Sequence, residues 1–558
     1  MFNRSVILQT MLSLVQMDIK PQLEYRNTHN APVTPAAPVC YGAYGCFSLD
    51  APWLGDERPV AVAPWPPYEL ELELCLHTQQ QPDCHVLDVE NFSTIRNSTL
   101  NTSSHLYVIT HGFIESRNIS WMSDMTEVLL DSQQKPCVIS VGWSKAANPP
   151  YTQAVANTRI TGHIVGYLLH ILVEYFDHKP SLINLVGHSL GSHLMGYAGS
   201  YFKEIQGQKV SRITGLDPAG PYFTNTPPEV HLDPTDAAYV EVIHTDETSL
   251  AIGLPFSLGL PAPIGHVDYY PNGGGSQMGC EGSMASKVDS EITFRNEIIK
   301  VINLCQKTES REYRRIKLNV NKCEHKGVAC ASWEDYLHGR CWGCHNSDTC
   351  YTFVQSKPFQ KEAILPEGTQ LLTTLKPAAG QGTTDNQINI EKALNATAVQ
   401  NDTHISTQQL PVHVKVFFGT NSLPPFCGEQ YLVTAVSSSS VASMESGGAW
   451  ARLNIMLFGT LSNVHINPPD KPDWLSAGGV AQWVGFGRPL GELRHARVTY
   501  HEEPGFLGLF IPRLTYDSLF LEKISIEELT TGRRIDLFVC SEEIKAGNLQ
   551  VLYHNRTC

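Results

Sequence analysis

Residues 181–202 read SLINLVGHSLGSHLMGYAGSYF. An apolar run from Leu182 to Val186 enters Gly187-His188-Ser189-Leu190-Gly191 and leaves as a helix-like segment, which places the serine at a sharp turn between a strand and a helix. Such a turn strains the serine backbone, and glycines at 187 and 191 leave room where side chains would collide. It lifts the Ser189 hydroxyl clear of the sheet, where it can attack a substrate. Gly-x-Ser-x-Gly by itself is a common pattern that also fits an ordinary βα loop. The strand-like run before it and the helix-like run after it favour a nucleophile elbow.

The bulk properties set the frame around that turn. A chain of 558 residues with 42% hydrophobic content is long enough for a large catalytic domain and a smaller partner. Its net charge of −15 disfavours a nucleic-acid binder, which needs a basic face. The 15 cysteines, several of them in close pairs, accompany Asn-x-Ser/Thr sequons at Asn91, Asn97, Asn101, Asn118, Asn395, Asn401 and Asn555. Together they predict an oxidising, secreted location and disulfides in preference to a zinc site at Cys341, Cys344 and Cys350. The start, MFNRSVILQTMLSLVQM, is an imperfect signal peptide because Gln9 and Thr10 interrupt its apolar stretch. No later run is apolar for long enough to cross a bilayer as a helix.

Two further stretches carry chemistry. Leu106 to Thr110 is a buried-strand pattern that delivers His111-Gly112-Phe113 to the sheet edge where Ser189 is expected. RITGLDPAGP, residues 212–221, is a short strand ending in Asp217 and stopped by Pro218. A carboxylate there can orient the imidazole that serves the nucleophile, although an Asp before Pro is more often a turn former.

CYGAYGCFSLDAPW from Cys40, LYVITHGF, the elbow, RITGLDPAGP, HLDPTDAAYVEVIHTD, IGHVDYYPNGG and the cysteine spacing occur in an order that resembles the secreted neutral lipase family, which includes pancreatic and lipoprotein lipases. The resemblance covers nearly everything from residue 39 onward. It implies an α/β-hydrolase domain at 38–355, after a signal or pro segment at 1–37, and an all-β sandwich of the PLAT or C2 type at 412–558. Residues 356–411, rich in Gln, Thr, Asn, Ala and Gly, read as a flexible insertion. From Val412 onward, strand-like alternation bounded by turn residues agrees with a sandwich.

The resemblance also assigns residues. Ser189 is the nucleophile and Asp217 the acid, with the amides of Phe113 and Leu190 as the oxyanion hole and His111 holding that loop. Asp233 and Asp236, with the backbone carbonyls of Pro228 and His231, match the family's structural calcium loop, and two carboxylates beside carbonyls suit that hard cation. Here Pro228 stands where the family has glutamate, and a solvated acidic turn is the plainer alternative. The 24 residues between Cys280 and Cys305 correspond to the lid. A disulfide between Cys280 and Cys305 would fix the lid's feet, spacing supports Cys40–Cys46, Cys330–Cys341, Cys344–Cys350 and Cys540–Cys558, and Cys75–Cys84 and Cys323–Cys427 are the remaining pairings, which leaves Cys137 odd.

One position departs from the family. Its catalytic histidine lies two residues after the second lid cysteine, and here Cys305-Gln306-Lys307 places lysine there. Cys323-Glu324-His325 imitates the motif, but taking His325 as the base stretches the lid and leaves only four residues before Cys330. A missing base and a base at His325 therefore both stay open. The expected activity is hydrolysis of acylglycerols by a secreted serine ester hydrolase at a lipid–water interface or lipoprotein-like particle. The alternatives are a catalytically impaired lipid-binding relative and a phospholipase A1 acting on phospholipid. Arg311, Arg314, Arg315 and Lys317 would face either a heparin-like polyanion or plain solvent.

Overall fold

The computed structural model describes residues 37–148, 150–246, 259–275, 325–343, 349–353, 413–420, 428–501, 518–539 and 543–554. The lid between Cys280 and Cys305, Lys307, the basic stretch 311–317 and the insertion expected at 356–411 lie outside the described residues.

The first sheet is built from β1 (Glu73–His77), β2 (His85–Leu87), β3 (Leu106–Thr110), β4 (Cys137–Gly142), β5 (Ile183–His188), β6 (Val210–Leu216), β7 (Ala237–Ile243), β8 (Val267–Pro271), β9 (His325–Ala329), β10 (Cys350–Phe353) and β11 (Val414–Phe418). These 11 strands run in the order β10-β9-β11-β8-β7-β6-β5-β3-β4-β1-β2. The middle is parallel from β4 through β3, β5, β6, β7 and β8 to β11. Both faces of such strands are covered, so they read as apolar runs, and β4 and β5 are buried at every position.

Helices α1 (Ser120–Leu130), α2 (Tyr151–Phe176) and α3 (Leu190–Gln206) supply much of that cover. The last two touch almost backbone to backbone. A Cβ on Gly162 would stand 2.6 Å from the Leu194 carbonyl oxygen, and one on Gly166 would stand 2.7 Å from that of Ala198. Ile160, Val165, Leu168, Leu194, Ala198 and Phe202 fill the seam with the apolar surface that drives the layers together.

One strand falls on the other side of the expected boundary at 412. Val414–Phe418 pairs in parallel with β8, Val267 opposite Val414, and so belongs to the hydrolase sheet. Its Val-Lys-Val-Phe-Phe pattern specifies a strand but not its neighbour, which only tertiary packing decides. The β sandwich begins at β12 (Glu429–Ser437). One of its sheets orders Val480–Gly487, β12, Ser518–Glu528 and Arg534–Phe538; the other orders Asn463–Ile466, Leu453–Gly459, Leu493–Tyr500 and Leu549–Tyr553. Inward residues such as Tyr431, Leu453, Trp483, Val498 and Ile524 form its core. Tyr270, Val328, Tyr336 and Phe417 of the hydrolase pack with Leu432, Val484 and Leu529 of the sandwich in a separate buried cluster.

Disulfides join Cys40 to Cys46, Cys75 to Cys84 and Cys330 to Cys341. Cys350 is also disulfide-bonded, and its expected partner Cys344 lies outside the described residues. Cys137 is a buried free thiol. No described helix is long and apolar enough to cross a membrane.

Candidate active site

Ser189 sits between β5 and α3 with φ 54° and ψ −121°, a left-handed backbone that an L-residue occupies only under strain. Its flanking glycines are obligatory. A Cβ at Gly187 would lie 2.0 Å from the Gly191 carbonyl oxygen, and one at Gly191 would lie 2.5 Å from that of His111. The Ser189 N–H donates to the Leu216 carbonyl at 3.0 Å, which ties the elbow to the end of β6.

Asp217 follows Leu216 directly, at φ 47° and buried. Its own N–H donates to Ile243 O at 2.8 Å, and its Oδ1 accepts the N–H groups of Thr245 and Asp246, each at 3.2 Å. Burial pushes its pKa up; the nearby His188 and the two backbone donors act against that rise. Ser189 and Asp217 thus come from adjacent strands at the carboxyl edge of the sheet, where open α/β sheets place their ligands.

The loop after β3 closes over the elbow. A Cβ on Gly112 would stand 2.8 Å from Ser189 Cβ, so Phe113 begins within reach of any group bound to the serine. Its ring packs edge-on against Tyr151 at 5.0 Å. Leu190 occupies the first turn of α3, where backbone N–H groups have no acceptor within the helix. His111 spans the base of the loop. Its Nδ1 lies 3.0 Å from Gly112 O, and its Nε2 takes the Trp143 N–H at 3.1 Å. Burial lowers its pKa to about 4, which keeps the ring neutral.

His325 is not brought to this site. It opens β9, and β6, β7, β8 and β11 separate that strand from β5. Five strand spacings amount to about 24 Å, several times the reach of a histidine side chain. The described histidines around the elbow are held elsewhere. His188 Nδ1 meets Glu115 Oε2 at 3.0 Å, and His193 bridges the Ala219 carbonyl and the Leu232 N–H. His244 Nε2 meets the buried Asp268 at 2.9 Å, with its Nδ1 2.8 Å from Leu260 O. Glu115 and the His244–Asp268 pair escaped the sequence reading, because a lone Glu in a loop and an Asp in a strand carry no pattern of their own.

Asp233 and Asp236 are both buried and face one another: the Asp233 N–H donates to Asp236 Oδ2 at 3.0 Å, and the Thr235 N–H to Asp233 Oδ1 at 2.6 Å. Burial, then the like charge of Asp233, drives the Asp236 pKa well above the carboxylate range. Pro228 opens a 3-10 turn closed by His231, whose N–H donates to Pro228 O at 3.3 Å.

A family model described as Lipase matches residues 37–374. The chain belongs to the lipase family. Among its relatives, pancreatic triacylglycerol lipase of Equus caballus is 38% identical over 314 residues, 56% of this chain and 66% of the relative. The Mus musculus pancreatic triacylglycerol lipase is 37% identical over 307 residues, 55% of this chain and 64% of the relative. Pancreatic lipase-related protein 2 of Mus musculus is 35% identical over 308 residues, 55% of this chain and 62% of the relative. The chain spans just under two thirds of the length of these lipases.

Proposed function

We propose that this lipase-family chain is a secreted carboxyl-ester hydrolase that acts on acylglycerols at a lipid–water surface, and that its turnover is low because Lys307 stands where the imidazole base is expected. The arrangement around Ser189 carries this reading: a strained serine at the mouth of a long helix, a buried carboxylate one strand away and a backbone loop in contact with the serine. Attack by Ser189 Oγ on the ester carbonyl would place the developing oxyanion between the amides of Phe113 and Leu190, with the positive end of the α3 dipole behind it. The bound ester is thereby polarised. The proton of Ser189, however, needs an acceptor tuned near neutral pH, and a solvated lysine is already protonated.

The engaged histidines and the distance of His325 favour a second reading on the same scaffold, a lipid-binding protein with residual catalysis only. Hydrolysis of emulsified triacylglycerol beside a soluble short-chain ester, with Ser189→Ala as control, separates the two. The hydrolase reading expects a rate above the control in both assays, yet several powers of ten below that of a complete triad. Equality with Ser189→Ala in both would leave lipid binding as the function.

We further infer that calcium occupies the Asp233–Asp236 loop. The two buried carboxylates have a mutual repulsion that a divalent cation would relieve, and the carbonyls of Pro228 and His231 would complete an oxygen set. Secretion is supported by the sequons together with the described disulfides.

A further inference from the structure

We propose that Glu115 is a positioning residue for ester hydrolysis, a latch that grips the oxyanion loop and the nucleophile elbow at once. The proposal rests on the hydrolase reading above. Glu115 is buried, unusual for a glutamate in a surface turn. One oxygen does double duty: Oε2 accepts the Gly112 N–H at 2.8 Å and lies 3.0 Å from His188 Nδ1. Gly112 immediately precedes Phe113, and His188 immediately precedes Ser189. A single carboxylate oxygen therefore joins the residue before the oxyanion donor to the residue before the nucleophile.

The local chain is shaped to make that grip. Ile114 takes φ 58°, a left-handed kink that turns Glu115 back toward the strand it has just left. The Ile114 N–H donates to Ala147 O at 2.9 Å and anchors the kink to the turn that follows β4. A loop held at Gly112 cannot drift from the serine, because the contact distance there leaves no slack. Displacement by about 1 Å is enough to spoil a preorganised donor. His188 also helps to satisfy a carboxylate that is buried near a developing oxyanion. Its Nδ1, 3.0 Å from Oε2, can donate to it, so the buried carboxylate has a second hydrogen-bond donor beside the reacting carbonyl.

The test uses the full chain with two substitutions. Glu115→Ala removes the latch. Glu115→Gln keeps its shape, with an amide oxygen in the place of Oε2 to accept from both the Gly112 N–H and His188 Nδ1–H. Two readouts are taken: hydrogen exchange of the Gly112 amide, and the rate at which a fluorophosphonate probe labels Ser189, a step in which Oγ displaces fluoride from phosphorus. Glu115→Ala should raise the exchange rate and lower the labelling rate by at least ~10-fold each, with binding to phosphatidylcholine vesicles unchanged. Glu115→Gln should hold both within about 3-fold of the parent. The latch is overturned by unchanged exchange in Glu115→Ala, by raised exchange with parental labelling, or by a Gln variant as impaired as the Ala variant. Should Glu115→Ala fail to fold, Glu115→Met preserves the volume and carries the same expectations. A parent chain that labels no faster than Ser189→Ala overturns the hydrolase reading instead, and amide exchange then decides the latch alone.

Discussion

The Ser189 N–H bonds the carbonyl of Leu216, the residue before Asp217, at 3.0 Å. The β5–β6 register pairs His188 with Leu216, so the strand ladder itself carries Ser189 and Asp217 to the same height on the sheet edge. Neither residue depends on a flexible connection for its place. Exchange of the Ser189 hydroxyl for hydrogen should therefore leave the fold alone.

Ser189→Ala is expected to unfold within about 0.5 kcal/mol of the parent, the usual range for a change that disturbs no packing, and to lose fluorophosphonate labelling and ester hydrolysis completely. Urea denaturation together with in-gel labelling checks both. Parental hydrolysis in the purified variant would remove Ser189 from the chemistry.

The glycines around the elbow should behave oppositely. Gly187→Ala drives a methyl to 2.0 Å from Gly191 O, a collision that neither backbone can escape, and should cost roughly 3 kcal/mol or more. Gly207 ends α3 at φ 70° with open space around it, and Gly207→Ala should cost only about 1 kcal/mol of backbone strain. Denaturant midpoints that rank the two in the reverse order would contradict the geometry.

What the sequence shows plainly is what local sterics decide. The elbow was legible because Gly-x-Ser-x-Gly between an apolar strand and a helix has few other uses, and the Cys40–Cys46 and Cys330–Cys341 bridges because short separations limit the choices. Asp217 rested on its place after Ser189 in the chain and on the family resemblance, since an Asp before Pro is more often a turn former. Residues placed by distant partners were not legible. The strand Val414–Phe418 looks the same whether it opens a sandwich or closes a hydrolase sheet, and only its pairing with Val267–Pro271 distinguishes them. Glu115 resembles a solvated loop residue until Ile114 folds it inward. His325 satisfied a short motif, but the sheet order, a property of the whole domain, puts four strands between it and β5.

Acid should weaken the fold through buried neutral histidines. His163 stacks on Tyr201 with ring centroids 4.1 Å apart, its Nδ1 is 2.8 Å from Tyr44 O, and burial holds its pKa near 4, against 6.5 in a solvated ring. Its folded pKa is the lower one, so the unfolded chain binds the extra proton. The associated stability is complete above pH 6.5 and is lost as pH falls toward 4, by about 1.4 kcal/mol per pH unit. His163→Asn keeps a donor for Tyr44 and cannot titrate. Urea midpoints at pH 7 and pH 5 should differ less in this variant than in the parent, and equal differences would rule out His163 as a contributor.

Calcium should raise the melting temperature, and a chelator should reverse the gain. Saturation at 100 times Kd is worth about 2.7 kcal/mol of stability. Asp236→Asn retains an oxygen for the Asp233 N–H but removes one of the two charges. That variant should gain nothing from calcium, and without calcium it should melt no lower than the parent, since the repulsion is gone. A parental melt that ignores calcium would exclude the site.

The lysine at position 307 makes the sharpest prediction. If the triad lacks only its imidazole, Lys307→His should restore it, because the family resemblance places residue 307 two positions after the second lid cysteine. The ammonium of lysine, with an ordinary pKa near 10.4, has no lone pair to offer at neutral pH, whereas imidazole titrates near 6.5 and can take the serine proton and return it to the leaving alkoxide. General base catalysis is worth about 10²- to 10⁴-fold, so short-chain ester hydrolysis should rise by at least ~100-fold and acquire an acidic limb between about pH 6 and 7. His325→Ala should leave the rate of either parent unchanged, since four strands stand between its strand and β5, which leads into Ser189. The pH–rate profiles of parent, Lys307→His and His325→Ala decide the matter together. No gain from Lys307→His, or a loss of hydrolysis in His325→Ala, would mean that the proton of Ser189 already has another acceptor.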